Sequence, residues 1–211
     1  MFKVHNLLVL TFSALICSTS FAQEGSSKQI DEPNTEKMQM KVAEPSEDHA
    51  VIFQDVGTWD CAIKIFMGPE PTITKGVEVN QKVGLFWMTS NFKYDLNGTA
   101  MHGQGQFAYN AATKKYHGTW IDSASDALTM MDGSYDKATK TMTWNMKSND
   151  PAGEEVDMQI IDKKTSDKTR DFQMLMKTPN AKEFIPIMTM ELTKRAKKSP
   201  MGSAQPGFNK K

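Results

Sequence analysis

Asn97-Gly98 divides two alternating runs, residues 85–96 and 99–109, and constrains the fold of this chain more than any other dipeptide. A two-residue type I′ turn needs positive φ at both central positions, which Asn and Gly adopt most readily. The turn therefore fixes a register in which Tyr94 faces Met101, Phe92 faces Gly103, Ser90 faces Gly105 and Met88 faces Phe107. A second turn is written twice, as Tyr109-Asn110-Ala111-Ala112-Thr113-Lys114 and Tyr135-Asp136-Lys137-Ala138-Thr139-Lys140. Asn or Asp opens each copy by bonding its own backbone two residues on. Pairing Tyr109 with Tyr116 and Tyr135 with Met142 puts Gly105 opposite Trp120 and Gly133 opposite Trp144. An aromatic ring then covers a glycine in each of three successive hairpins.

Carrying this register along the chain separates two surfaces. Phe86, Met88, Phe92, Tyr94, Met101, Phe107, Tyr109, Tyr116 and Trp120 form the inner one; Asn91, Lys93, His102, Gln104, Gln106, His117 and Thr119 form the outer. Upstream, Val56-Gly57-Thr58-Trp59 opens a strand with Trp59, Cys61, Ile63, Ile65 and Met67 on one face. The run over 72–83 is expected to bury Ile73, Val77, Val79 and Val83 and to expose Thr74, Glu78, Asn80 and Lys82. Further period-two runs cover 127–135, 141–147, 156–162, 170–177 and 184–195. About ten strands with no segment of helical period predict an all-β fold. Such a sheet must hide its edges, and an antiparallel up-and-down barrel of the lipocalin-like kind is the economical closure.

The flanks have a different composition. Residues 1–22 carry Lys3 and His5, an apolar run and a small-residue end at Ser20-Phe21-Ala22, which is the pattern of a cleaved secretory signal. The expectation is a periplasmic or secreted protein cut after Ala22. A lipid on Cys17 is the rival reading, with Ile16 standing where a small residue is wanted. Residues 23–50 are acidic and poor in large apolar side chains and read as a disordered linker; 51–195 hold the barrel; 196–211 are basic, interrupted by Pro200, Gly202 and Pro206, and read as a disordered tail. Beyond the signal no stretch is apolar enough to span a bilayer as a helix. With 25 basic and 25 acidic residues the chain carries no net charge, so nothing global points to nucleic acid. Once the signal is removed Cys61 stands alone, so packing must hold the fold, with Cys61 a buried thiol in phase with Trp59 and Ile63.

Val56-Gly57-Thr58-Trp59, Gly68-Pro69, Lys75-Gly76, the His102-Gly103-Gln104-Gly105 strand, residues 116–123, Gly133-Ser134-Tyr135-Asp136 and Lys182-Glu183-Phe184 together resemble a family of exported bacterial domains of unknown function, over about residues 44–195. The family's Gly-Tyr-Asp turn is replaced here by Phe107-Ala108-Tyr109-Asn110. The Gly-x-Trp opening followed by hairpins is also similar, more distantly, to lipocalins and fatty-acid-binding proteins. That resemblance implies that Trp59 plugs one end of the barrel, with Lys194 or Arg195 lying over its face. It implies no particular activity.

Residues able to carry chemistry are few. His102 and His117 fall on the outer face about six residue steps apart, roughly 20 Å at the usual strand rise, and cannot share a metal. No nucleophile elbow, paired cysteines, zinc helix or phosphate loop occurs, so neither a catalytic set nor a metal site is assigned and no cofactor is implied. Asp122 and Asp132 read either as inward carboxylates or as solvated rim groups. Sixteen methionines, among them Met130-Met131, Met174, Met176, Met188 and Met190, suit Cu(I) or, more simply, an adaptable apolar lining inside the barrel. Arg170 is in phase with Phe172 and Met174. It reads either as an inward fork for a carboxylate or phosphate, or as a rim residue paired with Asp171 or Asp167.

The leading expectation is an exported barrel that binds a small, mainly apolar molecule. Its candidate lining is Met88, Phe92, Phe107, Tyr109, Trp120, Trp144, Arg170, Phe172 and Met174. The alternatives are a hydrolase or isomerase in the same barrel, dependent on Asp122 or Arg170, and a solid-cored envelope module with no ligand.

Overall fold

The computed structural model describes residues 44–66, 68–150 and 153–196. The expected signal, most of the expected linker, Met67, Pro151, Ala152 and the basic stretch from 197 on lie outside the described residues. One short helix, α1 (Glu47–Phe53), precedes ten strands: β1 (Gly57–Ile65), β2 (Thr72–Val83), β3 (Trp87–Leu96), β4 (Thr99–Asn110), β5 (Lys115–Asp122), β6 (Thr129–Asp136), β7 (Thr141–Asn149), β8 (Glu155–Lys164), β9 (Thr169–Lys177) and β10 (Ile185–Lys194). Each strand pairs antiparallel with its neighbours in sequence, and β10 returns to β1, closing the barrel and leaving no free edge.

The hairpin registers follow the turn chemistry. Tyr94 pairs with Met101, Phe92 with Gly103, Ser90 with Gly105 and Met88 with Phe107. Gly105 meets Trp120, Tyr109 meets Tyr116 and Gly133 meets Trp144. Asn97 has φ 53° and Gly98 φ 86°, as the tight turn demands. The glycines are occupied space: a Cβ on Gly103 would stand 2.1 Å from Trp120 Cζ2, so the indole lies flat where a side chain would otherwise project.

One face is the reverse of the sequence expectation. On β2 it is Glu78 and Asn80 that turn inward and Ile73 that is 68% exposed, with Val83 also exposed. The cause is tertiary: β1 pairs Trp59 with Glu78, and the inner side of the barrel there holds a buried charge. An amphipathic strand shows which residues share a face; it does not show which face is dry when the interior is itself partly polar.

The linker reading also fails from Glu47 onward. Residues 47–53 form α1, with the Ser46 N–H donating to His49 Nδ1 at 2.9 Å across its first turn. His49 is buried, edge-on to Phe86 and Tyr109, and Ile52 is buried with Met88, Tyr116 and Met142. Tyr116 donates its hydroxyl proton to the Asp48 carbonyl at 3.0 Å. Seven residues make too short a helix to stand alone, so this turn exists because its apolar side packs on the end of the barrel.

Candidate functional site

Trp59 is the anchor of the closed end. Its ring is 0% exposed and its Nε1–H donates to the Asp55 carbonyl at 2.8 Å, tying β1 to the segment after α1. Lys194 Nζ lies 5.0 Å from the Trp59 ring centroid, as the lipocalin resemblance implies, while Arg195 instead grips Asp60 outside the barrel. A second cation shares the indole: Arg170 Cζ is 4.4 Å from the same centroid. Gly57, at φ +140°, makes room, since a Cβ there would meet Lys194 Cε at 2.7 Å.

Arg170 points inward and is 3% exposed. Neither rim partner considered from the sequence, Asp171 or Asp167, holds it. Its Nη1 donates to Asp162 Oδ2 at 2.6 Å and lies 3.4 Å from Asp55 Oδ2, and its Nη2 donates to Glu78 Oε2. The Ser90 hydroxyl donates to the other Glu78 oxygen at 3.3 Å, and Asn80 Nδ2 donates to the Asp55 carbonyl at 3.2 Å. The two terminal nitrogens of the guanidinium are thus already taken by three carboxylates, which corrects the expectation that its fork waits for an anionic ligand.

Three carboxylates and one guanidinium leave an excess of negative charge in a buried place. Burial is the main force raising the Asp55 carboxyl, and burial raises Asp162 from 3.8 to about 7 even though Arg170 pulls the other way. The three acids in turn hold the guanidinium firmly charged. A carboxyl raised in the folded state binds a proton there that the unfolded chain has released. Its stabilising share is therefore complete below about pH 4 and is lost as pH rises towards 7. Urea unfolding between pH 4.5 and 7.5 is expected to show wild-type protein losing of the order of 2–4 kcal/mol relative to Asp162→Asn over that window. Parallel pH curves for the two proteins would refute the assignment. The groups facing Asp162 are Arg170, Asp55 and Glu78, so the change belongs to the cluster as a unit.

Beyond this polar end lies a cavity of about 310 Å³. Met88, Phe92, Phe107, Trp120, Trp144, Arg170, Phe172 and Met174 line it, as the alternation of the strands anticipates. Tyr109 does not; it is used between His49 and Tyr116 under α1. Nine methionines line the cavity, the others being Met101, Met131, Met142, Met146, Met158, Met188 and Met190. Met130 is 70% exposed on the outside, which separates it from Met131 as a joint ligand for copper. Among the described residues no group of three His, Cys, Asp or Glu side chains is placed to hold a metal ion.

The remaining candidates are placed as follows. Asp122 lines the cavity and accepts from Trp120 Nε1 at 3.2 Å. Asp132 faces out and pairs with His117 Nδ1 at 3.0 Å, and His102 is exposed. Cys61 is buried, and burial pushes its thiol up to about 12, so it is no nucleophile. Sequence reasoning missed Asp55, Glu78, Asn80 and Asp162 as one cluster. The trace that was present is Gly76, two residues before Glu78 and so on the same face: a Cβ there would strike Ile63 Cδ1 at 2.9 Å, which marks that face as the inner one.

A solved structure of similar fold agrees with the architecture. The crystal structure of Rv2717c from M. tuberculosis matches with a TM-score of 0.53 at 9% identity, covering 72% of this chain and all of that one. The S-type phycobiliprotein lyase CPES from Guillardia theta matches with a TM-score of 0.45 at 10% identity, covering 69% of this chain and 91% of that one. No curated protein matches the sequence. No helix among the described residues is long and apolar enough to cross a membrane. The closed antiparallel barrel opened by Gly57-x-Trp59 accords with the sequence-family match over residues 44–194, and the chain belongs to the family described as Protein of unknown function (DUF1579).

Proposed function

We propose that this protein is an exported carrier that binds a small, mainly apolar molecule inside the barrel. The observation that supports the reading is the cavity itself: about 310 Å³, at the lower end of the range of small-molecule sites, walled by nine thioethers and by aromatic rings. Thioethers are flexible and polarizable and fit apolar ligands of varied shape. Inward glycines help to create the volume. Gly103 and Gly105 let Trp120 lie against the wall, and Gly133 does the same for Trp144. Export rests on the sequence of residues 1–22, and cell fractionation with N-terminal sequencing after Ala22 tests it.

N-phenyl-1-naphthylamine, an apolar dye that brightens out of water, is the probe for the cavity. Dye binding is expected to weaken at least tenfold in Met174→Trp, which fills the lining, and to stay within twofold of wild type in Met130→Trp, which places the same group outside. Equal binding by all three proteins would reject the carrier reading. A second reading, catalysis, has one observation in its favour, a cavity-facing carboxyl at Asp162 raised to about 7, the range of a general acid or base. Against it, Arg170 already holds that carboxylate.

A further inference from the structure

Among the described residues, two buried side-chain polar atoms beside the cavity have no hydrogen-bond partner. They are Asn80 Oδ1, on a side chain only 2% exposed, and Arg170 Nε. Both residues line the cavity. The amide orientation of Asn80 is set by its Nδ2, which donates to the Asp55 carbonyl, so the orphaned atom is the oxygen and it needs a donor. Arg170 Nε is an N–H and needs an acceptor. A buried polar atom left unmatched costs stability, so the site favours any guest that satisfies both.

Few head groups qualify. A carboxylate offers no proton to Asn80 and would face Glu78, Asp162 and Asp55, which already outnumber the guanidinium. An ammonium offers Arg170 no acceptor and would meet a cation. An alkane satisfies neither atom. A hydroxyl donates once and accepts once. Resting on the carrier reading, we propose that the natural ligand is an uncharged alcohol, apolar along its length, which enters hydroxyl first and places that group between Asn80 and Arg170. The volume is about ten times the share of one water molecule, enough for a chain of roughly ten heavy atoms.

Four probes matched in length decide this: 1-decanol, decanoate, decylamine and decane, each competing with the naphthylamine dye on the full mature protein at neutral pH. Decanol is expected to bind at least tenfold more tightly than any of the other three, and Asn80→Leu is expected to cut its advantage over decane to less than threefold. Decanoate or decylamine equal to decanol would overturn the head-group assignment and leave the carrier reading intact. Decanol equal to decane would also overturn it, since Asn80 and Arg170 would then be served by water alone. Failure of all four, together with the dye, would remove both readings. If Asn80→Leu does not fold, the comparison on wild-type protein still decides.

Discussion

Replacing Arg170 with leucine is expected to destabilise the protein by about 3–5 kcal/mol at neutral pH, the usual cost of removing one partner from a buried ionic cluster. Leucine keeps much of the volume and strands Asp55, Glu78 and Asp162 together without the guanidinium that bonds them. A domain of this size is stable by only about 5–15 kcal/mol, so the loss takes a large share of the total. Two features separate this cause from simple packing damage. The destabilisation should shrink as pH falls from 7.5 to 4.5, because the stranded carboxyls can take up protons. Adding Glu78→Gln and Asp162→Asn to Arg170→Leu should recover more than half of the loss, since only Asp55 of the three carboxylates is then left without its guanidinium partner. Urea midpoints for the single and triple variants measure both. A loss that is independent of pH and unrelieved by the neutral pair would show that the cluster is not the source.

Trp59→Ala should be of similar size, about 3–5 kcal/mol, for a different reason. The indole is fully buried against Cys61, Ile63 and Leu192, bonds the Asp55 carbonyl, and lies beneath two cations. Trp59→Phe keeps an aromatic face for those cations and loses the Nε1 bond, so it should cost about 1 kcal/mol, the net worth of one hydrogen bond, because Asn80 Nδ2 still donates to the same carbonyl. The ordering wild type, Phe, Ala in thermal or urea unfolding checks the assignment. An alanine variant as stable as the phenylalanine one would mean that the ring's packing contributes nothing.

Both variants strike the same structural device, and it was only half legible in the sequence. Asn97-Gly98 and the doubled Tyr-Asn/Asp turn could be read because turn chemistry is local: backbone φ and a side-chain oxygen reaching two residues on decide the register whatever the rest of the chain does. Trp59 was legible as a plug through resemblance, and Lys194 took the cation's place on it. The face of β2 was not legible. Whether Glu78 or Val79 turns inward is decided by Arg170, which lies 92 residues further along the chain. The helix was hidden for a related reason, since Glu47–Phe53 is too short to show a period and its burial comes from Met88, Tyr116 and Met142 on distant strands. The aromatic and methionine lining was readable from alternation alone, because each strand contributes every second side chain to the interior. Tyr109 shows the limit of that rule, as an inward position can be taken up by packing on His49 of α1 instead of by the cavity.

Carriage of an apolar molecule in the barrel interior is the central claim, and native mass spectrometry of the protein purified from the cells that make it tests it most directly. A retained organic mass of a few hundred daltons at most is expected, released on gentle activation and absent after the polypeptide is unfolded and refolded. A bare polypeptide mass from freshly isolated protein that also fails to take up the naphthylamine dye would contradict it.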